Sequence, residues 1–146
     1  MFGNVSGKKI TILGFAFKSN TNDTRQSPCI SICKDLLEEG AYISIYDPKV
    51  EDHKIDADLK NIQDKNLNNQ ENGNWEICPN VEKAALNSDA IVVLTEWKEF
   101  WHIDWDFLIK LMRSPSWVFD TRGCINLENA KKAGFNVWEI GNSPSI

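Results

Sequence analysis

KKITILGFAFKSNTNDTRQSPCISICKDLLEEGAYISIYDP, residues 8–48, holds one complete strand–helix–strand unit. Lys8–Leu13 starts with charge and continues through β-branched and aliphatic residues, the pattern of a buried strand, and Gly14 ends it. After a loop over residues 15–26, Ser27-Pro28 opens a helix, with the serine as cap and the proline at the first helical position. Cys29, Ile32, Cys33, Leu36 and Leu37 then recur on one helical face, and Gly40 closes the helix. Ala41–Tyr46 is a second strand, stopped by Asp47-Pro48. A strand, a helix and a strand within about 40 residues predict a parallel pair joined by a right-handed crossover.

The same alternation continues outward. Residues 49–74 are polar, with six Asn between Asn61 and Asn74, and read as a surface excursion carrying at most one short helix. Trp75–Cys78 is a short strand, and Asn80 caps a helix that runs to Asn87. Ala90–Thr95 is apolar without interruption, as a central parallel strand buried on both faces requires. A helix over Asp104–Met112, a strand over Ser116–Asp120, a helix over Asn126–Ala133 and a strand over Phe135–Ile140 complete the chain. The expected fold is α/β and Rossmann-like: a doubly wound, mostly parallel open sheet of five to six strands with helices on both faces.

Composition bounds the function. The chain has 146 residues, 42% hydrophobic and 25% charged, with mean hydropathy −0.38. This suits one globular domain with a real core and excludes wholesale disorder. The longest apolar run, Ala90–Leu94, is far short of the ~20 residues of a bilayer span, and Met1–Gly7 has no apolar signal core. A net charge of −5 argues against a non-specific nucleic-acid binder. Cys29, Cys33, Cys78 and Cys124 form no CxxC pair, and His53 and His102 lie far apart, so no metal site is expected. Four thiols without a disulfide framework fit a reduced, cytoplasmic protein. The length is generous for binding one nucleotide and small for a two-substrate enzyme, which points to a piece of something larger.

In open α/β sheets ligands lie beyond the carboxyl ends of the strands, and polar residues gather at several such ends here. The loop Gly14–Arg25 has a single glycine, so it lacks the GxGxxG turn of a dinucleotide site, yet it carries Lys18 and Arg25. It is either an anion site beside a helix N-terminus or a solvated loop with Asp23 and Arg25 paired. Thr95-Glu96-Trp97 either contacts a ligand or caps the strand with a core tryptophan. Arg122, after Asp120-Thr121, is either a clamp for phosphate or carboxylate or an ion pair with Asp120. Asp47 stands where a ribose-binding acid would, or makes a simple Asp-Pro turn. No Ser-His-Asp or Cys-His arrangement is legible, and Cys124 has no neighbouring base. The tryptophans between Trp97 and Trp105 are core filler or a subunit contact.

Taken together, GFAFK (14–18), DTR (23–25), YDP (46–48), TEW (95–97) and FDTR (119–122) resemble the C-terminal domain of the UDP-glucose 6-dehydrogenases, which show GFAFK, DTR, YDP, TEW and FDGR in this order. The resemblance runs from about Val5 to Gly141. It implies that residues 1–7 end a preceding linker helix, that 8–141 form a UDP-binding domain with 49–74 as the polar excursion, and that 142–146 are a tail. The family oxidises UDP-glucose to UDP-glucuronate in two NAD-dependent steps. NAD and the catalytic cysteine belong to its other regions. By motif, Phe17, Lys18 and Arg122 are implied as UDP-sugar contacts and Arg25 as a contact to NAD. No residue of this chain is implied as catalytic, and the fragment alone is not expected to oxidise substrate. Thr121 departs from the family glycine, which would stiffen or shift that turn. The expected partners are UDP and UDP-glucose, without nucleic acid or membrane, in a full-length homo-oligomer. Two alternatives stay open: the corresponding domain of a dehydrogenase acting on UDP-N-acetyl-mannosamine or GDP-mannose, and a non-catalytic interaction module.

Overall fold

The computed structural model describes residues 6–16, 28–64 and 74–139, with the side chains of 61–64 and 139 left aside. Six strands form one sheet: β1 (Lys9–Leu13), β2 (Tyr42–Tyr46), β3 (Trp75–Ile77), β4 (Ala90–Val93), β5 (Trp117–Asp120) and β6 (Asn136–Glu139). All neighbours are parallel and the order is β3-β2-β1-β4-β5-β6, the doubly wound Rossmann order. The helices are α1 (Pro28–Glu38), α2 (Asp52–Asp64), α3 (Val81–Ala85), α4 (Trp105–Leu111) and α5 (Leu127–Ala133). Right-handed crossovers put α1 and α2, which touch each other, on one face. The sheet order reverses after β3, so α3, α4 and α5 form a second contiguous layer on the other face.

The strands are buried because both faces are covered. Ile10 and Ile12 of β1, Ile43 and Ile45 of β2, and Ile91 and Val93 of β4 are all at most 2% exposed. Helix ends are fixed locally. Asn80, Asp104 and Asn126 each accept a backbone N–H three residues on, capping α3, α4 and α5. Close approach of α3 to the sheet is held by three hydroxyls. Thr11, Ser44 and Ser88 all donate to the carbonyl of Ala84 from fully buried positions.

Two elements differ from the sequence expectation. Within the expected polar excursion, residues 52–64 form not a short helix but the longest described helix, at thirteen residues. Ile55 and Leu59, one turn apart, are fully buried, and the Asp56 carboxylate accepts the Trp75 indole N–H at 2.8 Å, tying α2 to β3. The stretch is polar because only this narrow stripe faces inward; residues 65–73 lie outside the described residues. The second difference is a 3₁₀ turn over Lys98–His102, which buries Phe100 and was not foreseen. Its signal was Trp97 and Phe100, three apart. Tyr46 reaches across to it, donating its hydroxyl to Glu99 at 2.8 Å. Residues 1–5 and 140–146, and with them the expected helix end and tail, lie outside the described residues; Ser6-Gly7 forms a turn.

No helix among the described residues is long and apolar enough to cross a membrane, and no described cluster of His, Cys, Asp and Glu could hold a metal ion.

Candidate functional site

The sheet order reverses between β1 and β4, so the crevice opens at their carboxyl ends, between Gly14–Ala16 and Leu94–Thr95. Parallel pairing continues beyond the strands and locks these ends together. Gly14 N–H donates to Tyr46 O at 2.8 Å, and Leu94 N–H to Leu13 O at 2.9 Å. The Thr95 hydroxyl, fully buried, donates to Ala16 O at 2.8 Å. Thr95 is thus a structural hydroxyl, and Trp97, 6% exposed, is a core tryptophan. Gly14 is demanded by this contact. Its φ is +93°, and a Cβ there would lie 2.4 Å from Thr95 Cβ.

Two carboxylates shape the neighbouring ends. Asp47 is neither a simple Asp-Pro turn nor an open ribose acid. Its Oδ2 accepts from Phe15 N–H (2.8 Å), Ala16 N–H (3.0 Å) and the Trp97 indole N–H (3.1 Å). Its Oδ1 accepts from Lys49 N–H (2.8 Å) and Val50 N–H (2.9 Å). Asp120, fully buried, plays the same part after β5. It accepts from the N–H groups of Arg122 (3.0 Å), Gly123 (2.8 Å) and Ile125 (3.2 Å). The turn it makes puts its left-handed residue at Gly123, φ +69°, and not at Thr121. Thr121 therefore fits without strain, and its hydroxyl donates to Val93 O at 2.6 Å.

Arg122 does not pair with Asp120 through its side chain. Its Nε donates to Leu94 O at 2.9 Å and lies 3.6 Å from a Glu96 carboxylate oxygen. That anchors the guanidinium at the mouth of the crevice with the side chain 34% exposed. The guanidinium is ion-paired with Glu96, but among the described residues its two terminal nitrogens donate no hydrogen bond, which leaves donors suited to an anion. Of the site residues expected from sequence, Arg122 is the one the structure places. Phe17, Lys18 and Arg25 lie outside the described residues. Of the expected tryptophan group, Trp97 and Trp105 are buried and Trp101 is half exposed. The residues sequence reasoning missed are Asp47 and Asp120 as backbone anchors; the Asp-Pro and Asp-Thr-Arg-Gly turn signals mark their positions but not their partners.

Three of the thiols are held protonated by their surroundings. Cys124 lies beside the crevice, and burial, with Asp120 and Glu96 adding repulsion, pushes its pKa up to about 12. Burial likewise raises Cys78 to about 11 and lifts Cys33 well above the usual thiol range. All four cysteines are free. Each of these three thiols holds its proton more tightly folded than unfolded. The stability this contributes is complete below the unfolded value of 9.0 and is lost as pH rises towards about 12. Alkylation by iodoacetamide at about pH 8 is accordingly expected to be much slower for the native chain than for the urea-unfolded chain. Equal rates at Cys124 would contradict this placement.

An open, all-parallel sheet in the order β3-β2-β1-β4-β5-β6 defines an α/β domain of the Rossmann type. The chain belongs to the UDP-glucose/GDP-mannose dehydrogenase family: residues 11–127 match that family's UDP binding domain. It is 39% identical over 153 residues to UDP-glucose 6-dehydrogenase 2 of Arabidopsis thaliana, covering 97% of this chain and 31% of that protein. It is 40% identical over 141 residues to the UDP-glucose 6-dehydrogenase of Drosophila melanogaster, covering 97% and 30%. The fold also matches the crystal structure of an NDP-N-acetyl-D-galactosaminuronic acid dehydrogenase from Methanosarcina mazei, with a TM-score of 0.76 and 25% identity over 97% of this chain and 26% of that one. The chain thus spans about a third of the length of the curated relatives it matches.

Proposed function

We propose that this chain is the UDP-holding domain of an NAD-dependent UDP-glucose 6-dehydrogenase that converts UDP-glucose to UDP-glucuronate. The observation that carries the reading is Arg122, anchored by Leu94 O at the strand-reversal crevice of a domain in this family. In this reading Arg122 and Lys18 neutralise the diphosphate and Phe17 contacts the UDP-sugar. Binding energy from the remote UDP half then orients the sugar for chemistry carried by residues outside this chain. The described residues do not fit a dinucleotide seat of their own. One glycine stands in the β1 loop, and the Asp47 carboxylate already takes the Phe15 and Ala16 N–H groups. NAD is therefore assigned to another part of the full-length protein, with Arg25 reaching it across an interface.

The test is a thermal-shift series on the chain with UDP, GDP, UMP and UDP-sugars. A ligand at ten times its Kd adds about 1.4 kcal/mol, a readable shift. UDP is expected to stabilise, and GDP to do so less. Arg122→Ala is expected to weaken UDP by roughly ten- to a hundredfold, since charge-assisted bonds contribute about 1.5–3 kcal/mol, while leaving the ligand-free stability within about 1 kcal/mol. GDP outcompeting UDP would transfer the chain to the GDP-mannose branch of the family. A flat response to every nucleotide would favour a non-catalytic interaction module.

A further inference from the structure

Five donors converge on the Asp47 carboxylate, whose two oxygens offer about four lone-pair sites. Such a group has no capacity left for a ribose hydroxyl, although it stands at the end of β2 where dinucleotide-binding sheets keep a ribose acid. Three of its donors point to another role. Phe15 and Ala16 present consecutive backbone N–H groups to one oxygen, at 2.8 and 3.0 Å. Adjacent N–H groups converging after the first strand are what a phosphate takes in sheets of this kind. Here an internal carboxylate takes them instead. The same oxygen accepts the Trp97 indole N–H, and Thr95, two residues before Trp97, donates to Ala16 O. The loops after β1, β2 and β4 are therefore joined through one side chain.

We propose that Asp47 is a positioning and specificity residue: a built-in anion that fills the phosphate seat at the end of β1, bars nucleotide phosphates from that turn, and fixes the three loops on which the UDP site stands. Its effect on UDP rests on the function proposed above; its occupation of the seat does not. An unfilled seat would be open to the phosphates of any nucleotide. A filled one leaves the diphosphate to side-chain cations such as Arg122, a narrower specification.

The experiment is amide NMR of the ¹⁵N-labelled chain titrated separately with inorganic phosphate and with formate, for wild type, Asp47→Ala and Asp47→Ser. In wild type the Phe15 and Ala16 amide protons are expected far downfield and unresponsive to either anion. In Asp47→Ala they move upfield and return on adding formate or phosphate, but not on adding chloride at equal ionic strength. Should Asp47→Ala not fold, Asp47→Ser carries the same arm, because its hydroxyl can still accept from the Lys49 and Val50 N–H groups while vacating the seat. Phosphate moving the Phe15 and Ala16 amides equally in wild type would overturn the proposal, as would no response in a folded variant. UDP titration supplies the second readout. The folded variant is expected to bind UDP about tenfold more weakly than wild type, with formate restoring affinity. Unchanged affinity, or a loss that formate does not restore, overturns the positioning role. Wild type failing to bind UDP would count against the proposed function alone, the amide response still deciding what occupies the seat.

Discussion

Gly14→Ala is expected to cost about 2–6 kcal/mol, a large fraction of the ~5–15 kcal/mol by which a whole domain is stable. Two penalties act at once. The residue has φ +93°, which an L side chain rarely adopts, at a cost of about 1–3 kcal/mol. The new Cβ would also meet Thr95 at Cβ (2.4 Å), Oγ1 (2.6 Å) and backbone N (2.8 Å). Overpacking of that kind adds about 1–3 kcal/mol. Thr95 cannot swing away, because its hydroxyl is committed to Ala16 O and the following Trp97 is fastened to Asp47. The matched control is Gly123→Ala, where φ is +69° but nothing lies within 4 Å of the added carbon. It carries backbone strain alone and is expected to cost about 1–2 kcal/mol. Urea denaturation of the two variants checks the difference, and equal costs would show that the Thr95 contact is not the constraint.

Asp120→Ala is expected to cost about 2–4 kcal/mol, since a buried donor left without its acceptor costs about 1–3 kcal/mol and part-buried ones cost less. The carboxylate is fully buried and receives the N–H groups of Arg122, Gly123 and Ile125. Alanine leaves all three without their acceptor, the Ile125 N–H in a buried position and the other two part-buried. The variant is expected to lose UDP affinity beyond its loss of stability, since the same turn aims Arg122. Asp120→Asn keeps the shape and one accepting oxygen, and is expected to fall between. Denaturation paired with UDP titration on whatever folded fraction remains separates the two effects. Full UDP affinity in a folded Asp120→Ala would show that the turn does not position Arg122.

Much of this was legible in the residues because the chain is locally consistent. The uninterrupted Ala90–Leu94 run suits a central strand, and helices are expected from Asn80, Asp104 and Asn126; the structure caps all three there, where the sequence reading expects a cap only at Asn80. The helix over residues 52–64 was hidden because two inward residues, Ile55 and Leu59, carry its docking in a polar stretch. At the crevice, Arg122 could be singled out by type and place, but its anchor on Leu94 O could not. Asp47 is the extreme case: three of its five partners lie about 30 to 50 positions away. No local pattern encodes such a contact; only the parallel pairing that brings the strand ends together creates it.

In the proposed function UDP lies at the carboxyl ends of β1, β4 and β5. The most direct test is a ¹⁵N amide titration of the chain with UDP at millimolar concentration. Saturable shifts are expected at Thr95, Glu96 and Thr121–Gly123, and none at the groove of about 480 Å³ that Leu86, Phe107 and Leu111 line between α3 and α4. Shifts confined to that groove, or no shifts at all, would contradict that placement.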